Sequence, residues 1–152
     1  MALRVLHPHT TPAGEAEAIA VQEELRERVL LDGSGPAPGA PGTVVVGVDV
    51  AYDEARDLVA AAAVALEAPG LTVVEQATAV GRVSFPYVAP TCPYVPGLPA
   101  FRELPAVLDA LGRLTVPVDL VVCDGHGLAH RYRLPETTRH ADRLCRQAPR
   151  EA

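Results

Sequence analysis

Apolar positions near the amino terminus recur at helical spacing. Those that share one helical face are Ala18, Val21, Leu25 and Val29. Thr11 and Pro12 precede them with a capping side chain and a proline suited to a first turn, so the pattern predicts an amphipathic helix over about residues 12–30. Residues 32–42 are rich in glycine and proline and predict a linker into the first strand.

Three apolar runs of strand length follow, over residues 43–50, 58–66 and 71–80. The connections between them, residues 53–57 and 67–70, are short. Short connections join antiparallel neighbours, so the three strands are predicted to form a meander.

The next stretch, residues 85–105, contains six of the 15 prolines, which excludes regular structure over most of it. A helix is predicted after it, with Pro105 in the first turn. Its apolar repeat is Leu104, Val107, Leu108, Leu111 and Leu114. Residues 118–123 form a short apolar run reached by a crossover, which predicts a strand that is parallel to its neighbour and central in the sheet.

A last helix is predicted over residues 134–145, with Pro135 near its first position. The predicted order is a meander of three strands, a helix, a crossover strand and another helix. This order is typical of an α/β protein. The expected architecture is a mixed sheet covered by helices.

Composition agrees with a single domain, since 152 residues suffice for one core and 49% of them are apolar. The net charge of −6 argues against a protein that coats phosphates with a basic face. All 13 basic residues are arginine, so a mechanism that needs lysine is excluded. Residues 131–152 carry six arginines against three acidic residues and form the one clearly basic segment.

The three cysteines, Cys92, Cys123 and Cys145, are odd in number and lack Cys-x-x-Cys spacing, which is typical of free thiols in a reducing compartment. No signal peptide opens the chain, and the longest apolar run, around residues 58–66, is too short to span a bilayer. These features predict a soluble cytoplasmic protein.

Three acidic residues stand where predicted strands end or a helix begins: Asp49, Glu103 and Asp124. Asp49 and Asp124 follow buried strands, so their carboxylates are expected at one rim of the sheet. Crowded carboxylates repel one another, and a divalent cation relieves the repulsion. Carboxylates that hold Mg²⁺ are the chemistry of phosphodiester hydrolysis.

Four motifs resemble the endonuclease V family, which nicks nucleic acid beside deaminated purines. They are Val-Gly-Val-Asp-Val-Ala-Tyr-Asp (46–53), Pro-Tyr-Val-Pro-Gly-Leu-Pro-Ala-Phe-Arg-Glu-Leu-Pro (93–105), Asp-Leu-Val-Val-Cys-Asp-Gly-His-Gly-Leu-Ala-His (119–130) and Tyr-Arg-Leu-Pro-Glu-Thr-Thr-Arg-His-Ala-Asp (132–142). The resemblance covers most of residues 16–146. It implies a single endonuclease V-like domain over residues 1–152, with a flexible amino terminus over 1–15 and the family's carboxy-terminal helix over 131–152.

The resemblance implies an RNase H-like mixed sheet flanked by helices, here truncated, and a Mg²⁺-dependent endonuclease of DNA repair, with Mn²⁺ as a substitute metal. Matched to the motifs, Asp49 and Asp124 are the principal metal ligands. Glu103 is a third acidic member of the site and Asp142 a fourth. An isolated helical Asp in an arginine-rich tail fits solvated surface equally well, and for Asp142 that alternative stays open.

Pro93 and Tyr94 match the family's wedge, which enters the duplex where the lesion base is turned out. The implied partner is DNA containing deoxyinosine or other deaminated bases, with inosine-containing RNA as an alternative and no membrane. A base is extruded most easily at a mispair. Phe85-Pro-Tyr-Val-Ala-Pro90 repeats the motif, so Tyr87 is the alternative wedge.

The chain departs from the family after His130, where it passes almost directly into the carboxy-terminal helix. The family has further strands, helices and an active-site lysine in this place, so an internal deletion is inferred. Two functions follow: an endonuclease of the deoxyribonuclease V type, impaired by the deletion, or a degenerate paralogue that binds nucleic acid without cutting it.

Histidines and cysteines around Asp124 suggest two other chemistries, a zinc site and a cysteine nucleophile. His126 and His130, with Cys123 and Cys145, would supply four zinc ligands, but nothing in their spacing imposes tetrahedral geometry. The alternative to zinc binding is that both histidines line a polar loop. Cys123 beside Asp124 resembles a nucleophile, yet no basic partner is fixed beside it, and a packing role is favoured.

Overall fold

The computed structural model describes residues 5, 8, 10–29, 36–37, 39–83 and 99–123. Two helices and four strands lie in this part of the chain. In order they are α1 (Glu15–Arg26), β1 (Val44–Asp53), β2 (Leu58–Glu67), β3 (Thr72–Arg82), α2 (Pro99–Gly112) and β4 (Leu120–Cys123). The predicted last helix over residues 134–145 lies outside the described residues.

The strands form one mixed sheet in the order β3-β2-β1-β4. β1 pairs antiparallel with β2, and β2 with β3, which confirms the predicted meander. β4 pairs parallel with β1, as the crossover predicted. Its expected central position is wrong for the described part of the sheet, where β4 is the outer strand and Val121 and Val122 are exposed.

The core lies between one face of the sheet and α2. Alternate residues of the strands point toward the helix because successive side chains of a strand take opposite faces. The buried cluster contains Val46 of β1, Val59, Ala61, Ala63 and Ala65 of β2, Ala79 of β3, and Ala106, Ala110 and Leu114 from α2 and the segment after it. Alanine on both sides lets the helix approach the sheet closely, as at Gly81, where a Cβ would stand 4.0 Å from that of Ala106.

The end of α2 is tied to β3 by a carboxylate. Glu75 accepts hydrogen bonds from the Val116 N–H (2.9 Å), the Thr115 N–H (2.9 Å) and the Thr115 hydroxyl (3.0 Å). These donors, the Val116 N–H first, hold the pKa of the Glu75 carboxyl below its ordinary value of 4.5. The bonds satisfy backbone groups just beyond the helix and fix its direction over the sheet.

The first helix is shorter than predicted. It begins at Glu15 with Gly14 as the N-cap, so the expected start at Pro12 with Thr11 as the cap is wrong. The Ala13 N–H donates instead to the Glu17 carboxylate (2.7 Å), which supplies an acceptor at the start of the helix. Ala18 is fully buried and packs with Phe101, so α1 is fastened to the first turn of α2.

The second helix begins five residues before the predicted first position, Leu104. Pro99 takes the first helical place, where proline is well tolerated. Pro105 therefore lies inside the helix, and the prediction that it belongs to the first turn is wrong. A proline there has no N–H to donate to the carbonyl of Phe101, a cost that the packing of α2 on the sheet offsets.

None of the helices in the described ranges is long and apolar enough to cross a membrane.

Candidate metal site and its surroundings

Three strands and a helix converge at one edge of the sheet. β1 and β4 are parallel, and β3 runs in the same direction because each meander step reverses the chain. α2 runs opposite to β3, since Ala106 lies over Gly81 and Thr115 reaches Glu75. The start of α2 therefore meets the edge at which β1, β3 and β4 end, which is called the carboxyl edge below.

Asp49 lies on β1 near this edge with its side chain exposed. Its neighbours Val48 and Val50 pack against the core, so Asp49 is on the opposite face of the strand. Its Oδ1 accepts a hydrogen bond from the Val50 N–H (2.8 Å). A charged, solvated carboxylate next to a buried strand is available to an incoming cation.

Glu103 reaches the same edge from α2. It is half-buried, and its Oε1 accepts a hydrogen bond from the Tyr52 hydroxyl at 2.6 Å. Tyr52 is on β1, three residues after Asp49 and on the face toward α2. The structure thus brings Asp49 and Glu103 to one edge and attaches them to opposite sides of β1.

Arg102 adds a cation to this group. Its guanidinium carbon stands 5.1 Å from the centroid of the Tyr52 ring, within the range of a cation–π contact. Beside the pair is a cleft to which Val83 contributes. The cleft is lined by Tyr52, Asp53, Glu54, Asp57, Leu58, Val83 and Arg102.

β4 ends at Cys123, which is paired with Val48, the residue before Asp49. At the start of β4, the Asp119 carboxylate accepts a hydrogen bond from the Val44 N–H (2.9 Å), and the Asp119 N–H donates to the Val44 carbonyl (3.0 Å). These bonds set the register of β4 against β1. Cys123 is a free, exposed cysteine.

The other predicted site residues lie outside the described residues. They are Asp124, Asp142, Pro93 and Tyr94, together with Tyr87 and the zinc candidates His126, His130 and Cys145. Within the described ranges no group of three or more His, Cys, Asp or Glu side chains could hold a metal ion. Asp49 and Glu103 each offer carboxylate oxygens, the ligands that Mg²⁺ prefers, and they do so from opposite faces of β1.

Sequence reasoning missed the hydrogen bond from the Tyr52 hydroxyl to Glu103. Its only signal was its place in the first motif, three residues after Asp49, and its partner is 51 residues away along the chain. Asp119 begins the third motif, and its bonds to Val44 give it a structural role.

The chain matches the family model described as Endonuclease V over residues 23–134. It is 61% identical to the endonuclease V of Streptomyces coelicolor, across 81% of this chain and 49% of the relative. The crystal structure of endonuclease V from Streptomyces avermitilis superposes with a TM-score of 0.69 at 59% identity, across 82% of this chain and 50% of that one. For endonuclease V from Bacillus subtilis the TM-score is 0.59 at 25% identity, across 80% and 49%.

These comparisons confirm the predicted α/β architecture, a mixed sheet with helices of the RNase H-like fold. The chain spans about half the length of the curated relatives it matches.

Proposed function

The chain belongs to the endonuclease V family, and from this premise we propose that it is a Mg²⁺-dependent endonuclease that nicks DNA 3′ to deaminated purines such as deoxyinosine. Mn²⁺ is the expected substitute metal. Inosine-containing RNA is the alternative substrate.

The observation that carries the proposal is the parallel pairing of β4 with β1. Cys123 stands beside Val48, and the residue that follows each of them in the sequence is an aspartate, Asp124 and Asp49. Asp124 lies outside the described residues, and the proposal requires its carboxylate to lie near that of Asp49. Two adjacent carboxylates repel unless a cation lies between them.

In this proposal Asp49 and Asp124 hold the ion, and Glu103 and Asp142 complete its coordination or orient the attacking water. Asp49 is exposed and Glu103 is presented at the same edge by Tyr52. When bound, Mg²⁺ supplies the charge that polarises the scissile phosphate and lowers the pKa of water. A carboxylate within hydrogen-bond reach of that water would accept its proton.

Recognition of the lesion is assigned to Pro93 and Tyr94. The segment that contains them joins Val83, at the cleft beside Arg102, to Pro99, at the start of α2. Both ends of this segment are therefore at the carboxyl edge, next to Glu103. A wedge here would fill the space of an extruded base while the acidic residues face the phosphate.

We further propose that this chain cuts slowly. It contains no lysine, whereas the resemblance places one in the family's active site. The face of the sheet opposite α2 also keeps exposed apolar residues, Val73, Val80 and Val122. The absence of lysine favours the second candidate, a degenerate paralogue that binds nucleic acid without cutting it.

A reducing, cytoplasmic compartment suits this function. The exposed thiol of Cys123 at the carboxyl edge supports it, because an oxidising environment would modify such a thiol.

A nicking assay on a duplex with one deoxyinosine, with and without Mg²⁺, tests the proposal. Asp49→Ala and Asp124→Ala should each abolish nicking, since each removes a charged ligand. For the exposed Asp49 the change in the free energy of unfolding should stay within about 0.5 kcal/mol. Asp109→Ala is the matched control, because Asp109 is an exposed aspartate that pairs with Arg113 near the far end of α2.

Nicking by Asp49→Ala and Asp124→Ala at the rate of the parental chain would show that the site is misassigned. Binding of the inosine duplex without Mg²⁺-dependent nicking would favour the second candidate.

A further inference from the structure

β3 is an outer strand in the described part of the sheet, where β2 is the strand that pairs with it. An outer strand presents N–H and C=O groups to any chain that can add a further strand. Natural proteins protect such edges with lysine, proline, β-bulges or inward-pointing charges. β3 has 11 residues, so an unprotected edge here would be a long one.

The first part of β3 carries such protections, and the rest of the strand does not. The register shifts opposite Ala65 and Leu66, and a bulge of this kind twists the strand. Glu75 directs its carboxylate to Thr115 at the end of α2. Residues 76–81 then contain no charged residue and no proline, and the chain has no lysine to place there.

The backbone groups that point outward in this stretch belong to Gln76, Thr78 and Val80. The Val83 N–H donates to the carbonyl of Asp57, directly before β2, at 2.9 Å. In an antiparallel strand the N–H and C=O of one residue point to the same side, and successive residues alternate. The register is regular over this stretch, so odd-numbered residues bond toward β2 and even-numbered residues face outward.

Arg113 covers the centre of this edge. It follows α2 directly, and its Nη1 donates to the outward carbonyl of Thr78 at 2.9 Å. Its Nη2 and Nε donate to the carboxylate of Asp109 at 2.9 and 3.3 Å, so the guanidinium is held in place. A strand that added to β3 would need the same carbonyl as an acceptor and would have to displace Arg113.

We propose that the outer edge of β3, over residues 76–82, is an interaction surface for a second copy of this chain and that Arg113 keeps it covered. The partner that fits is the same stretch of β3, because an antiparallel strand can pair with its own copy about a twofold axis. With Thr78 at the axis, Gln76 would lie opposite Val80 of the second copy. No like charges would meet there, because residues 76–81 are uncharged.

Sedimentation equilibrium of the full chain, without nucleic acid, tests the proposal. Dimer formation by the parental chain breaks the Arg113 hydrogen bond in each copy. Arg113→Ala removes this cost and should raise the dimer association constant by about tenfold for each bond, or about 10²-fold for the pair. Arg56→Ala is the matched control and should associate like the parental chain, because it also removes an exposed arginine that pairs with an aspartate, Asp53, outside β3.

The double variant Arg113→Ala/Thr78→Pro distinguishes strand pairing from aggregation of unfolded chains. The Thr78→Pro change removes an N–H that points outward and leaves the bonds to β2, which an edge strand tolerates. The double variant should therefore return to the parental association constant. Association that persists in the double variant, a parental association constant in Arg113→Ala, or an equal rise in Arg56→Ala would each overturn the inference. A parental chain that is already dimeric would also overturn it.

Discussion

Tyr87 and Tyr94 take the same place in two copies of one motif, Phe85-Pro-Tyr-Val-Ala-Pro90 and Cys92-Pro-Tyr-Val-Pro96, so replacing one tyrosine at a time separates their contributions. Tyr94→Ala should reduce discrimination for inosine over undamaged duplex by about 1–3 kcal/mol, the contribution of one stacked base, and leave metal affinity unchanged. Competition binding with matched duplexes measures it, with Tyr87→Ala as the control. If Tyr87→Ala has the larger effect, the wedge belongs to the first copy of the motif.

Glu75 makes the stability of the fold sensitive to acid. Its pKa is lowered in the folded state, chiefly by the Val116 N–H, so its contribution is present above the ordinary value of 4.5 and is lost as pH falls through the folded pKa. Glu75→Gln should melt at a lower temperature than the parental chain at pH 7. The difference in melting temperature between Glu75→Gln and the parental chain should become smaller at acid pH, below the pKa of Glu75 in the folded state. Thermal melting at several pH values checks this, and a gap that does not change with pH would contradict it.

Pro105 lies inside α2, where a proline is expected to lower the stability of the helix. Pro105→Ala restores an N–H toward the carbonyl of Phe101 and removes the ring, so it should raise the free energy of unfolding by about 1–3 kcal/mol in urea denaturation. Pro99→Ala is the control and should change little, because the first helical position has no intrahelical bond to lose. Equal effects of the two changes would show that Pro105 does not strain the helix.

The absence of lysine should lower the rate at which the whole molecule nicks inosine DNA. In comparable sites the loss of a group that stabilises developing negative charge costs about 2.7–4 kcal/mol, or 10²–10³ in rate, and a misplacement of ~1 Å costs a further 10²-fold. The chain should therefore nick inosine DNA at least about 10²-fold more slowly than the Streptomyces avermitilis relative. Side-by-side single-turnover assays measure this difference. Comparable rates would show that the missing lysine is dispensable.

The local pattern of the chain was enough to predict the sheet. β1, β2 and β3 appear within a few residues of their predicted bounds because strand period, β-branched residues and short polar turns are all properties of neighbouring residues. The parallel pairing of β4 followed from the crossover. Asp49 and Glu103 could be selected because their motifs resemble a family, and the motifs are likewise local.

Contacts between distant segments decided the rest. α2 begins at Pro99 and not at Leu104, which places Phe101 in its first turn against Ala18 and leaves Pro105 inside the helix. That Tyr52 holds Glu103, and that Glu75 holds the end of α2, depends on how the helix lies across the sheet. A pattern along the chain records which side chains share a face, whereas the partners that meet across two layers are determined only when the layers pack.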